Sequence, residues 1–408
     1  MHVDRRLLEE RITRELHERV LGLVVTDARD LTATAGPTPS EQSPIAVGDA
    51  WGPPWATTWF TFTGDVPAAW AGKRVEAIID LGFRGDAAGF QCEGLVVDEQ
   101  GRPVQGIHPR RTHLGVDAVP GPCTIRLEAA SNPSFPQFLS SPLGSPATSH
   151  DRPIYRLRRC DLALIDGEAE GLVHDIDVLA DLMRALPERD PRRARLLDQI
   201  STALNALPDV AAARRTVRSA VTSTGAARRH HVIATGHAHI DTAWLWPTAE
   251  TVRKCTRTFA SAVRLMDEYP EYRFACSQAQ QYAWIAERHP DLFERITSKV
   301  AAGQWVPVGG MWVEPDMNLP SGESLVRQIV FGQRYFECTN SCRNFVEPVA
   351  IITVDEPVDP GYPTLVLIST KGELSREAFT GIVRTLTHPV RRPYPGVGPG
   401  PSFRRPAR

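Results

Sequence analysis

The chain has 408 residues, more than one ordinary core accommodates, so two or three domains are expected. Its 42% hydrophobic and 23% charged residues are the composition of a soluble globular protein. A formal net charge of −2 gives no electrostatic reason to expect nucleic acid or a membrane as partner. The first 20 residues are charged throughout, no run approaches a transmembrane length, and the seven scattered cysteines read as reduced thiols. The expected location is therefore cytoplasmic.

Residues 5–22 carry Leu8, Ile12, Leu16 and Val20 at four-residue spacing, which predicts an amphipathic helix. Residues 30–50 are rich in Thr, Pro and Ser and read as a linker or surface loop, so 1–45 is expected to be a helix and linker. From 46 to 165 the character is all-β. Strands are predicted at 57–63, 75–81, 94–98 and 123–129, separated by Gly and Pro turns, as in a β-sandwich. Trp55, Trp59 and Trp70 are expected in its core rather than as sugar platforms.

Residues 166–225 read as a helical connector. Leu172, Ile176, Leu179, Met183 and Leu186 form one apolar stripe and Leu196, Ile200, Leu204 and Leu207 another, with Pro187 and Pro191 between. From 226 to 337 strands alternate with helices: strands near 232–234, 272–277 and 304–310, helices at 247–268, 281–287, 290–302 and from Ser321, an N-cap, to about 336. Such alternation implies a parallel sheet or (β/α) barrel with its site at the carboxyl ends of the strands. Residues 338–408 break the pattern. A strand-like piece or two falls within 347–367, and a Pro- and Arg-rich tail from His388 is expected to be disordered. The fold class expected is thus α/β plus all-β: a β-sandwich, a helical connector, and the beginning of an incomplete parallel barrel.

The chemistry concentrates in residues 231–247. Side chains two apart in an extended chain share a face, so His237, His239 and Asp241 line one side of a strand end. Two imidazoles and a carboxylate there make a divalent-metal half-site. The plain alternative is a pair of hydrogen-bonded histidines at a strand edge. The loop 309–316 is expected at the same end of the sheet.

The stretch Gly236-His237-Ala238-His239-Ile240-Asp241-Thr242-Ala243-Trp244-Leu245-Trp246-Pro247 resembles the signature of glycoside hydrolase family 38 α-mannosidases, in the cytosolic and vacuolar branch. Residues 303–324, containing Trp312-Val313-Glu314-Pro315-Asp316, are similar to that branch's second block, and 51–63 with 94–96 and 103–106 to its β domain. The resemblance covers about residues 1–337. It implies hydrolysis of terminal α-mannosyl residues with retention, aided by a divalent metal, zinc or cobalt. Carried over, His239 and Asp241 match metal ligands and Trp244 the tryptophan that stacks on the metal-bound sugar. Asp316 matches an acidic residue near the site, and His237 a supporting position. The partners implied are α-mannosides and oligosaccharides; a homo-oligomer is allowed.

A retaining glycosidase needs a nucleophile and an acid/base carboxyl roughly 5–5.5 Å apart. The family's nucleophile lies in a block Asp-x-Phe-Gly, which this sequence lacks. Asp359-Pro360-Gly361-Tyr362-Pro363 echoes it without the Phe and Ser, and Asp355 stands at a matching distance without the context. The expectation is an intact N-terminal part joined near Glu337 to unrelated sequence, and inactive on its own. The competing readings are a carbohydrate-binding module on the sandwich and a polysaccharide-deacetylase-like metal site; the 312–324 block disfavours the latter.

Overall fold

The structure, a computed structural model, describes residues 2–85, 88–89, 91–133, 150–222, 232–242, 246–308, 310–316, 318–338 and 364–367. Helix α1 (His2–Glu15) runs through a π-helical turn (Leu16–Val20) into α2 (Leu21–Val24). Ile12, Leu16 and Val20 are buried as expected, but Leu8 is 37% exposed. Four-residue steps drift about 40° each around an α-helix, so the stripe leaves the packed face. The buried face meets α3 (Gly167–Ala185), α4 (Pro191–Ala206) and α5 (Val210–Val221), the helical connector. Each of these helices starts on an aspartate: Asp166, Asp190 and Asp209 accept from backbone N–H groups of the first turn. Both predicted connector stripes lie in this core.

Two antiparallel sheets face each other in the β unit. One has the order β1 (Val25–Asp30), β12 (Arg159–Ile165), β6 (Val75–Asp80), β9 (His113–Val116). The other runs β3 (Glu41–Ile45), β2 (Thr32–Thr38), β5 (Thr57–Val66), β10 (Gly121–Ala130), β7 (Glu93–Val97), β8 (Pro103–Ile107). Phe60, Phe62, Ile125 and Leu127 from the second meet Ala77, Ile79, Cys160 and Leu162 from the first in one core. A small ladder pairs β4 (Ala50–Trp51) with β11 (Tyr155–Arg156). Trp51 and Trp70 are buried in the core, whereas Trp55 and Trp59 are half-buried and Trp59 packs against the parallel unit instead.

The linker reading of 30–50 is corrected here: these residues form β2 and β3. Their Thr residues are β-branched and suit a strand. Leu31 and Ala33 turn inward, Pro44 lies on an edge strand where no ladder donor is needed, and Pro37 falls at the register shift between Ala35 and Thr38.

The third unit is a four-stranded parallel sheet, ordered β15 (Trp305–Pro307), β14 (Phe274–Cys276), β13 (Val232–His237), β16 (Thr364–Leu367). Its helices are α6 (Thr248–Glu268), α7 (Ala279–Arg288), α8 (Pro290–Ala301) and α9 (Gly322–Cys338). Ser321 caps α9, its hydroxyl accepting from the Ser324 N–H at 3.2 Å. β16 falls within 347–367, where the sequence predicts a strand-like piece. The disorder expected from His388 onward lies outside the described residues.

Helix α6 joins the parallel unit to the β unit. Gly106 of β8 comes so close that a Cβ would meet the Ser261 Oγ at 2.9 Å, and its N–H donates to that hydroxyl. Beside it lies a buried ionic network. Arg257 Nε donates to Glu93 at 2.8 Å, its Nη2 bonds Glu250, and Lys254 donates to the Gly89 carbonyl and to Glu93. Burial alone pushes the Glu93 carboxyl up; Lys254, Arg257 and His108 overrule it and hold it at about 2. Burial pushes His108 down to about 4 against the pull of Glu93. Both folded values lie below the unfolded ones, so the unfolded chain binds more protons on acidification. The stabilisation is whole above the ordinary histidine value of 6.5. It declines first as pH falls toward 4 through His108, then further as Glu93 titrates between its ordinary value and about 2. Urea midpoints measured between about pH 7 and about pH 4 should fall steadily; a flat profile would contradict the His108 assignment.

Candidate metal and sugar site

The site lies at the carboxyl end of the parallel sheet. β13 ends at His237, and residues 238–242 leave it without regular structure. Alternation still holds across this exit: Ala238 and Ile240 are buried in the apolar core, while His239 is 47% exposed and Asp241 33% exposed at the side chain. Of the three side chains expected on one side, His239 and Asp241 emerge together, while His237 is buried.

Three side chains converge. The His239 Nε2 lies 3.0 Å from Asp241 Oδ1, and the His239 Nδ1 lies 2.5 Å from Glu314 Oε2. Glu314 arrives from the loop after β15, and its other oxygen accepts a hydrogen bond from the Ser277 hydroxyl, just beyond β14. Three neighbouring strand ends thus contribute. The hydrogen bond to Glu314 raises the His239 pKa; burial works against this, and the charges of Glu314 and Asp241 add to it. Burial pushes the Glu314 carboxyl up, but the bonds from His239 and Ser277 hold it below its ordinary value.

This geometry bears directly on a cation. A carboxylate only accepts, so Nδ1 carries the proton toward Glu314. In a neutral ring the Nε2 lone pair then faces the Asp241 oxygen. Two electron-rich atoms at that separation require a shared cation, either a proton or a metal ion. A ligating histidine whose other ring nitrogen donates to a carboxylate is the usual supporting arrangement of metal sites. Among the described residues no group of three or more His, Cys, Asp or Glu side chains is arranged to hold a metal ion. The donor pair fits half of a coordination shell, not the whole.

The other expected residues are placed as follows. His237 is buried, and its Nδ1 bonds the Ala275 carbonyl of β14 at 2.8 Å, so it ties β13 to β14. Asp316 is exposed in the loop, its carboxylate accepting from the Asn318 N–H at 2.7 Å. Trp244, Asp355 and Asp359 lie outside the described residues. Trp246 is buried, and its Nε1 donates to the Asp241 carbonyl at 3.2 Å. No local sequence pattern points to Glu314 or Ser277. The available signal was positional: both follow strands whose carboxyl ends meet that of β13.

Residues 229–345 match the Glycosyl hydrolases family 38 N-terminal domain, and residues 28–163 match the Alpha-mannosidase, jelly roll domain of Ams1-like proteins. The chain is 37% identical over 320 residues to Alpha-mannosidase 2C1 of Homo sapiens, covering 75% of this chain and 29% of that protein. It is 35% identical over 311 residues to the Alpha-mannosidase of Saccharomyces cerevisiae, covering 71% and 28% respectively. For Alpha-mannosidase G of Dictyostelium discoideum the identity is 31% over 314 residues, covering 73% and 27%. The match therefore spans under a third of the length of these relatives.

Proposed function

The chain is a member of glycosyl hydrolase family 38 in its jelly-roll and N-terminal-domain sequence, and from that premise we propose that His239, Asp241 and Glu314 form part of a metal-dependent α-mannosidase site. The observation that carries this is the His239 ring, held between Glu314 on one nitrogen and Asp241 on the other. His239 Nε2 and Asp241 Oδ1 are the proposed ligands of a divalent ion, zinc or cobalt by its mixed nitrogen and oxygen donors. When bound, that ion would orient sugar hydroxyls and polarise them as a Lewis acid. Glu314 fixes the tautomer and the ring plane of His239. Trp244 is the proposed stacking face for the sugar, with Asp316 a polar neighbour and His237 a buried support.

The substrate class is a terminal α-mannoside of an oligosaccharide, and the reaction is hydrolysis with retention. The parallel sheet is read as the start of a (β/α) barrel. Cys92, Cys123, Cys160, Cys255 and Cys276 are unpaired thiols, and no helix of the described residues is long and apolar enough to cross a membrane. A cytoplasmic setting is proposed on that thiol chemistry.

Retaining hydrolysis needs two carboxyls spaced roughly 5–5.5 Å across the sugar, both available for bond making and proton transfer. Asp241 and Glu314 are both engaged in holding His239. The chain is therefore expected to release no phenol from an aryl α-mannoside, with or without added zinc or cobalt. Metal-dependent turnover above the chromogenic background would overturn that expectation and direct attention to Asp355 and Asp359.

A further inference from the structure

We propose that Gln278 is a positioning residue that presents Asp241 to the cation, an inference that rests on the metal-site reading above. Gln278 follows β14 and has φ 65° and ψ 88°, in the left-handed region. That region is disfavoured for a side chain with a Cβ, and such residues persist where their surroundings over-determine them. Gln278 is 3% exposed. It occupies the N-cap position of α7, yet its side chain does not cap that helix.

The side chain is used on the Asp241 loop instead. Gln278 Nε2 donates to the Ile240 carbonyl at 3.0 Å, and Gln278 Oε1 accepts from the Thr242 hydroxyl at 3.0 Å. It thereby grips the residues on both sides of Asp241. The rest of the loop is held from elsewhere. Gln281 Nε2 also reaches the Ile240 carbonyl, Trp246 Nε1 donates to the Asp241 carbonyl, and the Thr251 hydroxyl donates to the Thr242 carbonyl at 2.7 Å. Three successive carbonyls are each fixed by a side chain.

The left-handed turn explains how one dipeptide serves both halves of the pair. In an extended strand, Ser277 and Gln278 would point to opposite faces. With the chain turned at Gln278, Ser277 reaches Glu314, which holds His239, while Gln278 reaches the loop that carries Asp241. The strained residue sets the separation of the two donors.

The test is a cobalt titration of the full chain, read by visible absorption, beside thermal unfolding of the metal-free protein. Gln278→Gly keeps the left-handed backbone without its steric penalty and removes the grip. Its cobalt affinity should fall at least about tenfold, the scale of losing a supporting group, while its metal-free unfolding midpoint falls by much less, because relief of the left-handed strain offsets part of the two lost hydrogen bonds. Gln278→Asn, which tolerates the same backbone and keeps an amide, should fall between. Unchanged cobalt affinity in Gln278→Gly would overturn the proposal. So would a loss of affinity matched by a loss of stability, the mark of a merely structural residue. A wild-type chain that gives no cobalt absorption at any concentration would overturn the metal reading itself, and this inference with it.

Discussion

Replacing His239 with alanine is expected to abolish the rise in unfolding temperature that zinc confers on this chain. The imidazole is the one nitrogen donor facing Asp241 among the described contacts of that carboxylate. Its removal leaves a half-exposed aspartate, a poor zinc site alone. The loss should exceed the roughly 10–100-fold that follows from removing a supporting group. Zinc stabilises in proportion to how far its concentration exceeds the dissociation constant, so the thermal shift disappears. Metal-free stability should barely move, because the side chain is 47% exposed and sits outside the apolar cores. A zinc-dependent shift that persists in His239→Ala would place the cation elsewhere.

Replacing Arg257 with alanine is expected to have the largest effect on folding, a loss of about 3–5 kcal/mol. Glu250 is fully buried and Glu93 is 8% exposed, and Arg257 bonds both. Without the guanidinium, Glu250 keeps Arg253 at 2.7 Å and the Asn132 amide at 2.7 Å. Glu93 keeps only the longer contact from Lys254 at 3.3 Å among those described. Two buried carboxylates facing each other with reduced compensation favour the unfolded chain or force proton uptake. Urea unfolding would read the loss directly. Because Glu93 is on β7 and Arg257 on α6, the seam between the β unit and the parallel unit should open first, seen as faster amide exchange along β7 and β8. A loss below about 1 kcal/mol would mean that water enters and solvates the network.

Much of this organisation is legible in the sequence. The stripes Leu172 to Leu186 and Leu196 to Leu207 are spaced for helices, and they pack as helices. The exposure of His239 and Asp241 either side of the buried Ile240 follows from strand geometry, whereas His237, expected on the same side, is buried against β14. Failures arose where composition competed with pairing. Residues 32–45 are poor in large apolar groups, so they read as a loop, but an edge hairpin gains its stability from a neighbour, here β5, that local composition does not reveal. Glu314 and Gln278 were missed for a related reason. Glu314 meets His239 across 75 positions of sequence, and Gln278 meets Ile240 across 38. No local period encodes such contacts. The buried Glu93–Arg257 pair spans 164 positions and was equally invisible.

The most direct test of the account is a calorimetric titration of zinc into the full chain and into its His239→Ala variant at neutral pH. The account predicts one zinc per wild-type chain, bound more weakly than in a complete four-ligand site, and no measurable binding in the variant. One zinc bound equally well by both proteins would contradict it, because the pair formed by His239 and Asp241 would then not be the metal half-site.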